Sequence, residues 1–271
     1  MDERANIEAK LDGRMLRDVL RERLTQLAFE VDRTRQERGF REALDAMRRF
    51  WRYSPFNEFV IRLQRPNARR VAARSVWESL GRRVKAGEPA IGVLAPTRGR
   101  RRLGFIAVPV YDVRQTRGRR PARLDLALGG RSQHVKTLER AAARLGIAVE
   151  YGGVQDGARA QSEGGLIRVR RTVTGRDRVA ALAHELGHEV LHQAERLRAE
   201  RARRTPKPRT HDERETEADA TAYVVLGVLG LPSKAPTSIA WQGGDGAQVL
   251  RSLTRVQRAA KAILEAAGVA P

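Results

Sequence analysis

The chain has 271 residues, 41% of them hydrophobic, with no cysteine and a formal net charge of +21 at pH 7. This length is sufficient for two modest domains with their own cores, and the lack of cysteine excludes disulfides and thiolate metal sites and fits a cytoplasmic protein. No apolar run approaches the ~18–20 residues of a membrane span, and the polar start Met1-Asp2-Glu3 is unlike a signal peptide. The large positive charge predicts a polyanionic partner, nucleic acid before an anionic membrane.

Apolar spacing in the first half predicts helices at 16–31 and 40–51, with a short helix ending near residue 63. Two β-like runs, 90–95 and 103–113, are joined by a very basic turn and predict a hairpin. A Gly-rich stretch follows. The predicted organisation is a first domain at 1–126, a linker at 127–133 and a second domain at 134–271.

Positive charge and aromatic rings coincide in this first half. From residue 52 to residue 125 there are 18 Arg and Lys but only 5 Asp and Glu, and ten of the thirteen aromatic residues precede residue 112. Single strands are bound by positive grooves for phosphates and by aromatics on which bases stack. Trp77 has helical spacing and is expected to lie in a core. The candidate DNA contacts are Trp51, Arg52, Tyr53, Arg69, Arg70, Arg82, Arg83, Lys85, Arg98, Arg100, Arg101, Arg102, Tyr111 and Arg114.

In the second half, the patterns predict one helix and two strands followed by three more helices. The predicted helices are 135–145, 179–191, 213–229 and 249–264, and the predicted strands are 147–151 and 165–172. A basic, Pro-containing insert at 196–210 is expected to be a mobile loop.

The predicted helix at 179–191 contains His184-Glu185-Leu186-Gly187-His188. Residues i and i+4 share a helix face, so both imidazoles can bind one metal ion, with Glu185 beside it to handle a water. This is the HExxH signature of zinc proteases. The alternative is an amphipathic core helix whose two histidines only make hydrogen bonds.

A catalytic zinc needs three protein ligands and an open position for water. The metzincin pattern requires Gly and His where this chain has Leu191 and Ala194, so that class of protease is excluded. His192 lies about 12 Å along a helix axis from His184, too far to share one ion.

A carboxylate from a second helix is the remaining solution. Glu215 is assigned as the third ligand, and Asp219, one turn later on the same face, as the group that orients a ligand imidazole, His184. Glu217 is the competing ligand. The cofactor is Zn2+, with Mn2+ or iron as the alternative.

The chemistry expected of such a site is peptide hydrolysis. The metal lowers the pKa of its bound water toward neutrality and polarises a carbonyl, while Glu185 takes the proton of the water and returns it to the leaving amine. The candidates for stabilising the oxyanion are Tyr223, Tyr151 and His211.

These residues resemble a known pair of modules. The stretch from Leu182 to His188, followed by Glu215-Thr216-Glu217-Ala218-Asp219, resembles the metallopeptidase module of ArdC-type antirestriction proteins and, more broadly, the ImmA/IrrE zinc-peptidase superfamily. Residues 53–57, 77–88, 90–96 and 108–116 resemble the single-stranded-DNA-binding domain of the same proteins. The resemblance implies an α+β protein of two domains. One is an α+β DNA-binding domain with a small antiparallel sheet, and the other a mainly helical zincin-like, gluzincin-type metallopeptidase domain.

The implied function is antirestriction or DNA protection, for mobile elements or their bacterial hosts, through sequence-nonspecific binding of single-stranded DNA. Double-stranded DNA is a second candidate partner, a protein substrate is a further one, and no membrane is involved. Two other functions stay open: a regulatory metalloprotease that cleaves a DNA-bound repressor, and a DNA-binding protein whose metal site is purely structural.

Overall fold

The computed structural model describes residues 33–97, 104–118, 131–155, 157–193, 209–234, 236 and 246–269. Helices and small sheets are combined in an α+β architecture, as expected. The chain divides into two compact units. Residues 52–97 and 104–118 belong to the first, and residues 33–51 with those from 131 to 269 belong to the second. The predicted helix at 16–31, the hairpin turn at 98–102 and most of the 196–210 insert lie outside the described residues.

Helix α1 (Arg33–Phe50) is part of the second unit, so the described part of the first unit begins with a loop and helix α2. Its elements are α2 (Pro55–Gln64), β1 (Val71–Ala72), α3 (Arg74–Ser79), β2 (Arg82–Val84), β3 (Ile91–Thr97), β4 (Gly104–Asp112), a 3-10 turn (Val113–Gln115) and β5 (Thr116–Gly118). The strands form an antiparallel sheet in the order β1-β4-β3 and a two-stranded ribbon, β2-β5. The predicted hairpin is confirmed, because β3 pairs with β4 from Ile91↔Val110 to Thr97↔Gly104.

Side-chain amides attach helix α2 to this hairpin. Ser54 caps the helix and Pro55 occupies its first turn, a favourable start because proline has no amide hydrogen to leave unpaired. The Asn57 amide exchanges two hydrogen bonds of 2.8 Å with the backbone of Leu94. Gln64, two turns later, does the same with Gly92. The two side chains of α2 therefore satisfy backbone N–H and C=O groups along the edge of β3.

The ribbon depends on one buried arginine and one close backbone approach. Arg82 is 7% exposed, and its guanidinium donates to the Thr116 hydroxyl and carbonyl and to the Gly118 carbonyl, at 2.7, 3.1 and 3.1 Å. Gly118 has a φ of +128°, and a Cβ there would lie 2.5 Å from the Gly81 carbonyl oxygen. Only glycine fits this position.

The second unit consists of helices around a small mixed sheet. Its elements are α1, α4 (Arg131–Arg144), β6 (Ala148–Gly152), β7 (Ala160–Ser162), β8 (Leu166–Arg170), α5 (Gly175–His188), a π-helical turn (Glu189–Gln193), α6 (His211–Val228) and α7 (Gly246–Ala266). The sheet order is β6-β8-β7, with β6 parallel and β7 antiparallel to β8. Strand β8 forms because Ile167 and Val169 alternate with polar residues and are fully buried.

Two features of this unit differ from the sequence expectations. Helix α1, which the predicted boundary at residue 126 places in the first domain, buries Phe40, Leu44 and Met47 in the core of the second unit. The last residues of the predicted linker, 131–133, are the first turn of α4. None of the described helices is long and apolar enough to cross a membrane.

Candidate metal centre

Helices α5 and α6 lie against each other at a glycine. On α5, Leu182, Ala183 and Leu186 are fully buried and anchor one face in the core. Gly187 allows the close approach, because a Cβ there would lie 3.1 Å from the Ala218 carbonyl oxygen of α6. The glycine of the HExxH stretch therefore brings the histidine face of α5 up to the acidic turn of α6.

His184, His188 and Glu215 meet at this contact and form a candidate metal site, with one ligand atom of each residue within 4.8 Å of the others. The two Nε2 atoms are 3.0 Å apart. Glu215 Oε2 lies 3.4 Å from His184 Nε2, and Glu215 Oε1 lies 3.3 Å from His188 Nε2. Donor atoms about 2.0–2.1 Å from a tetrahedral ion are about 3.3–3.4 Å from one another. Both distances to Glu215, one to each carboxylate oxygen, lie in this range, and the two imidazole nitrogens are slightly closer together, so the residue types and their approach suit one small divalent ion.

Asp219 lies behind the first of these histidines. Its Oδ1 is 2.8 Å from His184 Nδ1, which keeps the proton on Nδ1 and directs the Nε2 lone pair toward the site. Burial opposes protonation of His184, but the hydrogen bond to Asp219 and the charges of Asp219, Glu185 and Glu215 outweigh it and raise the pKa of His184.

Glu185 is 8% exposed and does not belong to the ligand cluster. Its carboxylate accepts hydrogen bonds from the side chain and backbone of Ser162, at the end of strand β7. Burial raises the pKa of Glu185, although the charge of His184 and the Ser162 hydrogen bonds act in the opposite direction. A carboxylate with a raised pKa beside a metal site is suited to proton transfer.

The competing ligand, Glu217, is engaged elsewhere. It is fully buried and accepts a 2.7 Å hydrogen bond from Ser252. It also forms ion pairs with Arg255 and Arg209, at 3.2 and 3.3 Å. These neighbours, on α7 and just before α6, therefore hold its carboxylate away from the histidines.

His192 also lies outside the cluster. Its Nε2 is 3.3 Å from the Arg214 carbonyl oxygen, and its ring centroid is 5.5 Å from that of His188. Burial, with the charges of His188 and Arg255, lowers the pKa of His192 to about 3. A neutral His192 donates to the carbonyl beside Glu215 and thereby supports the turn that carries the third candidate ligand.

Of the three oxyanion candidates, only His211 is close to the cluster, with its Nδ1 3.8 Å from Glu215 Oε1 and an exposed side chain. The Tyr223 hydroxyl is hydrogen-bonded to Asp45 and Arg48 of helix α1, at 2.6 and 2.9 Å. The Tyr151 hydroxyl is hydrogen-bonded to Glu139.

Two residues of the site were not among the sequence expectations. Ser162 comes from a three-residue strand that carries no apolar alternation, so no signal pointed to it. Glu189 directly follows His188, is 5% exposed, and accepts 2.8 Å hydrogen bonds from the amides of Gly164 and Gly165. Its position four residues after Glu185 was the available signal, because helical spacing places both carboxylates on one face.

The candidate DNA contacts of the first unit fall into distinct groups. Exposed side chains are Arg52, Arg69, Arg83, Lys85 and Arg114. Arg70 and Tyr53 are half-buried; the Tyr53 hydroxyl donates to the Val71 carbonyl at 3.0 Å, and burial raises the pKa of Tyr53 to about 12. Arg98, Arg100, Arg101 and Arg102 lie outside the described residues.

Three candidates are corrected by their burial. Trp51 is 7% exposed and packs in the core of the second unit, and Tyr111 is 1% exposed and packs against Trp77. Neither ring can stack on a base without leaving its core. Arg82 has its guanidinium committed to the ribbon carbonyls, so it serves the fold. Trp77 is a core residue, as expected.

No family model matches this chain, and no curated protein matches it. The similar solved structures include two of the antirestriction ArdC protein from the R388 plasmid. The metal-free one is 16% identical over 80% of this chain and 85% of that chain, with a TM-score of 0.38. The Mn(II)-bound one is 17% identical over 86% of this chain and 99% of that chain, with a TM-score of 0.43. Since both TM-scores are below 0.5, neither likeness establishes a common fold.

Proposed function

We propose that this chain is an antirestriction or DNA-protective protein that binds single-stranded DNA through its first unit and carries a zinc site of peptidase type in its second. The observation that carries the proposal is the cluster of His184, His188 and Glu215 with Glu185 beside it. The uneven positive charge of residues 52–125 supports the DNA-binding part.

The metal part of the proposal assigns a role to each residue of the cluster. His184 Nε2, His188 Nε2 and one Glu215 oxygen would hold the ion, and Asp219 would orient His184. Three protein ligands leave one position open, as catalytic zinc sites do. Zn2+, or Mn2+ in its place, acts as a Lewis acid when bound and lowers the pKa of a water molecule attached to it.

Glu185 is the proton carrier of the proposed reaction. Its carboxylate takes a proton from the attacking water and gives it to the leaving amine. Ser162 holds the carboxylate in place, since it donates from both its hydroxyl and its amide. The exposed His211 is close enough to the cluster to serve as a donor to the developing oxyanion.

The DNA part of the proposal rests on the exposed cations among the candidate contacts of the first unit, which are Arg52, Arg69, Arg83, Lys85 and Arg114. Their attraction to phosphates does not depend on sequence, and the affinity should fall steeply as salt rises, because binding releases condensed counterions. With Trp51 and Tyr111 in cores, Tyr53 is the remaining stacking candidate among the aromatic residues singled out above, and the binding is dominated by phosphate contacts.

The Glu185→Gln variant tests the proposal against its two rivals. Gln is isosteric but cannot accept a proton, so we expect the variant to keep its metal and its single-stranded-DNA affinity while any peptide-bond hydrolysis falls by a factor of about 10²–10⁴. The measurements are metal content, DNA affinity and protection of DNA from restriction digestion. Protection unchanged in the variant would favour a structural metal site. Repressor cleavage by the wild-type chain but not by the variant, with no DNA protection by either protein, would favour the regulatory protease.

A further inference from the structure

The β2-β5 ribbon places two arginines directly opposite each other. In the antiparallel register, Arg83 of β2 faces Arg117 of β5, and both side chains are exposed. Directly opposed residues have Cβ atoms about 4.5–5.5 Å apart and project from the same face of a sheet, and like charges in such a pair are destabilising. The free protein therefore holds two like charges on one face of the ribbon, an unfavourable arrangement at a defined position.

The ribbon fixes the face from which both side chains leave the backbone. Its other face carries Arg82 and Thr116, which are buried and joined by a 2.7 Å hydrogen bond, and Gly118 fits only as glycine against Gly81. Since alternate residues of a strand point to opposite faces, burying Arg82 and Thr116 commits Arg83 and Arg117 to solvent.

Two more cations stand beside the pair. Lys85 continues the ribbon, since its amide donates to the Gln115 carbonyl at 2.9 Å, and its ammonium donates to the Arg114 carbonyl at 2.7 Å. Arg114 is exposed and pairs with Asp112 at 3.2 Å. The Asp112 carboxylate is itself buried and also accepts the backbone amides of Arg69 and Arg70.

Among the described residues, no acidic side chain neutralises the two opposed arginines. In this part of the chain neither Arg83 nor Arg117 has a carboxylate partner, whereas Glu88 of the neighbouring turn is paired with Arg65. A like-charge pair that is held in place without a carboxylate partner is a site for an anion that bridges both cations. With Cβ atoms about 4.5–5.5 Å apart, two guanidinium groups reach one phosphate or two successive phosphates of a nucleic-acid backbone.

We propose that Arg83 and Arg117, with Lys85 and Arg114 beside them, form a phosphate clamp through which the first unit holds the backbone of single-stranded DNA. This inference rests on the proposed DNA-binding function and assigns it to one face of one ribbon. Arg117 was not among the sequence candidates, because the register that opposes it to Arg83 is visible only in the fold.

The test compares Arg83→Gln and Arg117→Gln with Arg62→Gln, using an oligothymidylate probe at several salt concentrations. Arg62 is an exposed cation of helix α2 in the same unit, and its replacement removes the same charge. We expect each ribbon variant to weaken binding and to reduce the slope of log affinity against log salt by about 0.7 for each phosphate that the clamp no longer neutralises. Arg62→Gln should leave both nearly unchanged.

Thermal unfolding of the same variants separates loss of the clamp from loss of the fold. Removing one of two opposed like charges should leave the Tm unchanged or raise it at low salt. Wild-type binding with no effect of the ribbon variants, or an equal effect of Arg62→Gln, would overturn the clamp while leaving DNA binding intact. No binding by the wild-type chain would overturn the DNA-binding function itself.

Discussion

The 2.8 Å contact between Asp219 and His184 is the residue-scale feature on which we expect the affinity of the proposed metal site to depend. It selects the imidazole tautomer and adds negative charge behind a ligand, both of which favour a bound cation. The same contact raises the pKa of His184 in the absence of an ion, so binding an ion releases a proton and is weaker at acidic pH.

Asp219→Ala should therefore lower Zn2+ affinity by about 10–100-fold without unfolding the second unit. The measurement is competition for Zn2+ against a chromophoric chelator. Asp212→Asn is the matched control, because Asp212 is an exposed acid in the first turn of the same helix. Equal affinities of Asp219→Ala and the wild-type chain would rule out the orienting role.

His134 of α4 gives a prediction for acidic pH. It is 2% exposed, its Nδ1 has no hydrogen-bond partner among the described residues, and burial lowers the pKa of His134 below its ordinary value. The pKa of His134 in the folded state is therefore below its unfolded value of about 6.5. Above about pH 6.5 the ring is neutral and contributes stability, and this contribution is lost as the pH falls below that value.

His134→Leu should therefore show a shallower loss of stability than the wild-type chain between about pH 7.5 and pH 5. The measurement is urea unfolding at several pH values, with metal-site residues unchanged in both proteins. Parallel pH dependences for the two proteins would show that His134 does not contribute to acid sensitivity.

At this scale, sequence spacing predicted that His184 and His188 share one face, because helix geometry brings i and i+4 together. The approach of Glu215 depends instead on the packing of α6 against α5 at Gly187. It could not predict which arginine or ring is buried. Arg82, Trp51 and Tyr111 share their residue types with exposed neighbours, and only the ribbon and the cores distinguish them.

At the scale of elements, two carboxylates on one face of helix α5 and the turn after it bind the end of strand β7 and the turn that follows β7. Glu185 accepts from Ser162, and Glu189, one turn later, accepts from Gly164 and Gly165. The turn between β7 and β8 is thus attached to this helix by two successive carboxylates, and the position of β7 beside the site depends on both.

Glu189→Ala should destabilise the second unit by about 1–3 kcal/mol, because it removes the charged acceptor of two backbone amides. Urea unfolding measures this loss, and faster hydrogen exchange of Gly164 and Gly165 localises it. Glu150→Ala is the control, since Glu150 is an exposed partner of Arg168 and should change stability by less than about 1 kcal/mol. Unchanged exchange at both glycines would contradict the attachment.

The presence of an element, although not its exact ends, could be predicted where the apolar period was long enough. Helices α4 and α5 each begin four residues before their predicted starts. The β3-β4 hairpin and helices α4, α5, α6 and α7 were predicted from their apolar spacing. Strand β7 was not, because three residues show no period. The sequence also did not predict that α1 packs in the second unit. An amphipathic pattern shows that one face of a helix is buried, but not which core covers that face.

At the scale of the whole molecule, the two compact units carry different chemistry. Among the described residues, the first unit has many exposed cations and few acids. The second unit brings histidines and carboxylates together where helices α5 and α6 meet. Composition and motif were sufficient to predict this contrast between a basic half and a half that carries a candidate metal site. The boundary near residues 126–134 stays a prediction, because residues 119–130 lie outside the described part of the chain.

The metal site is central to the proposed function, and metal stoichiometry tests it most directly. The measurement is the zinc content of the purified chain after Zn2+ loading and desalting, compared with that of a His184→Ala, His188→Ala double variant that retains its fold. We predict about one zinc per wild-type chain and almost none in the variant. No zinc in the wild-type chain, or equal zinc in both proteins, would contradict the proposed site.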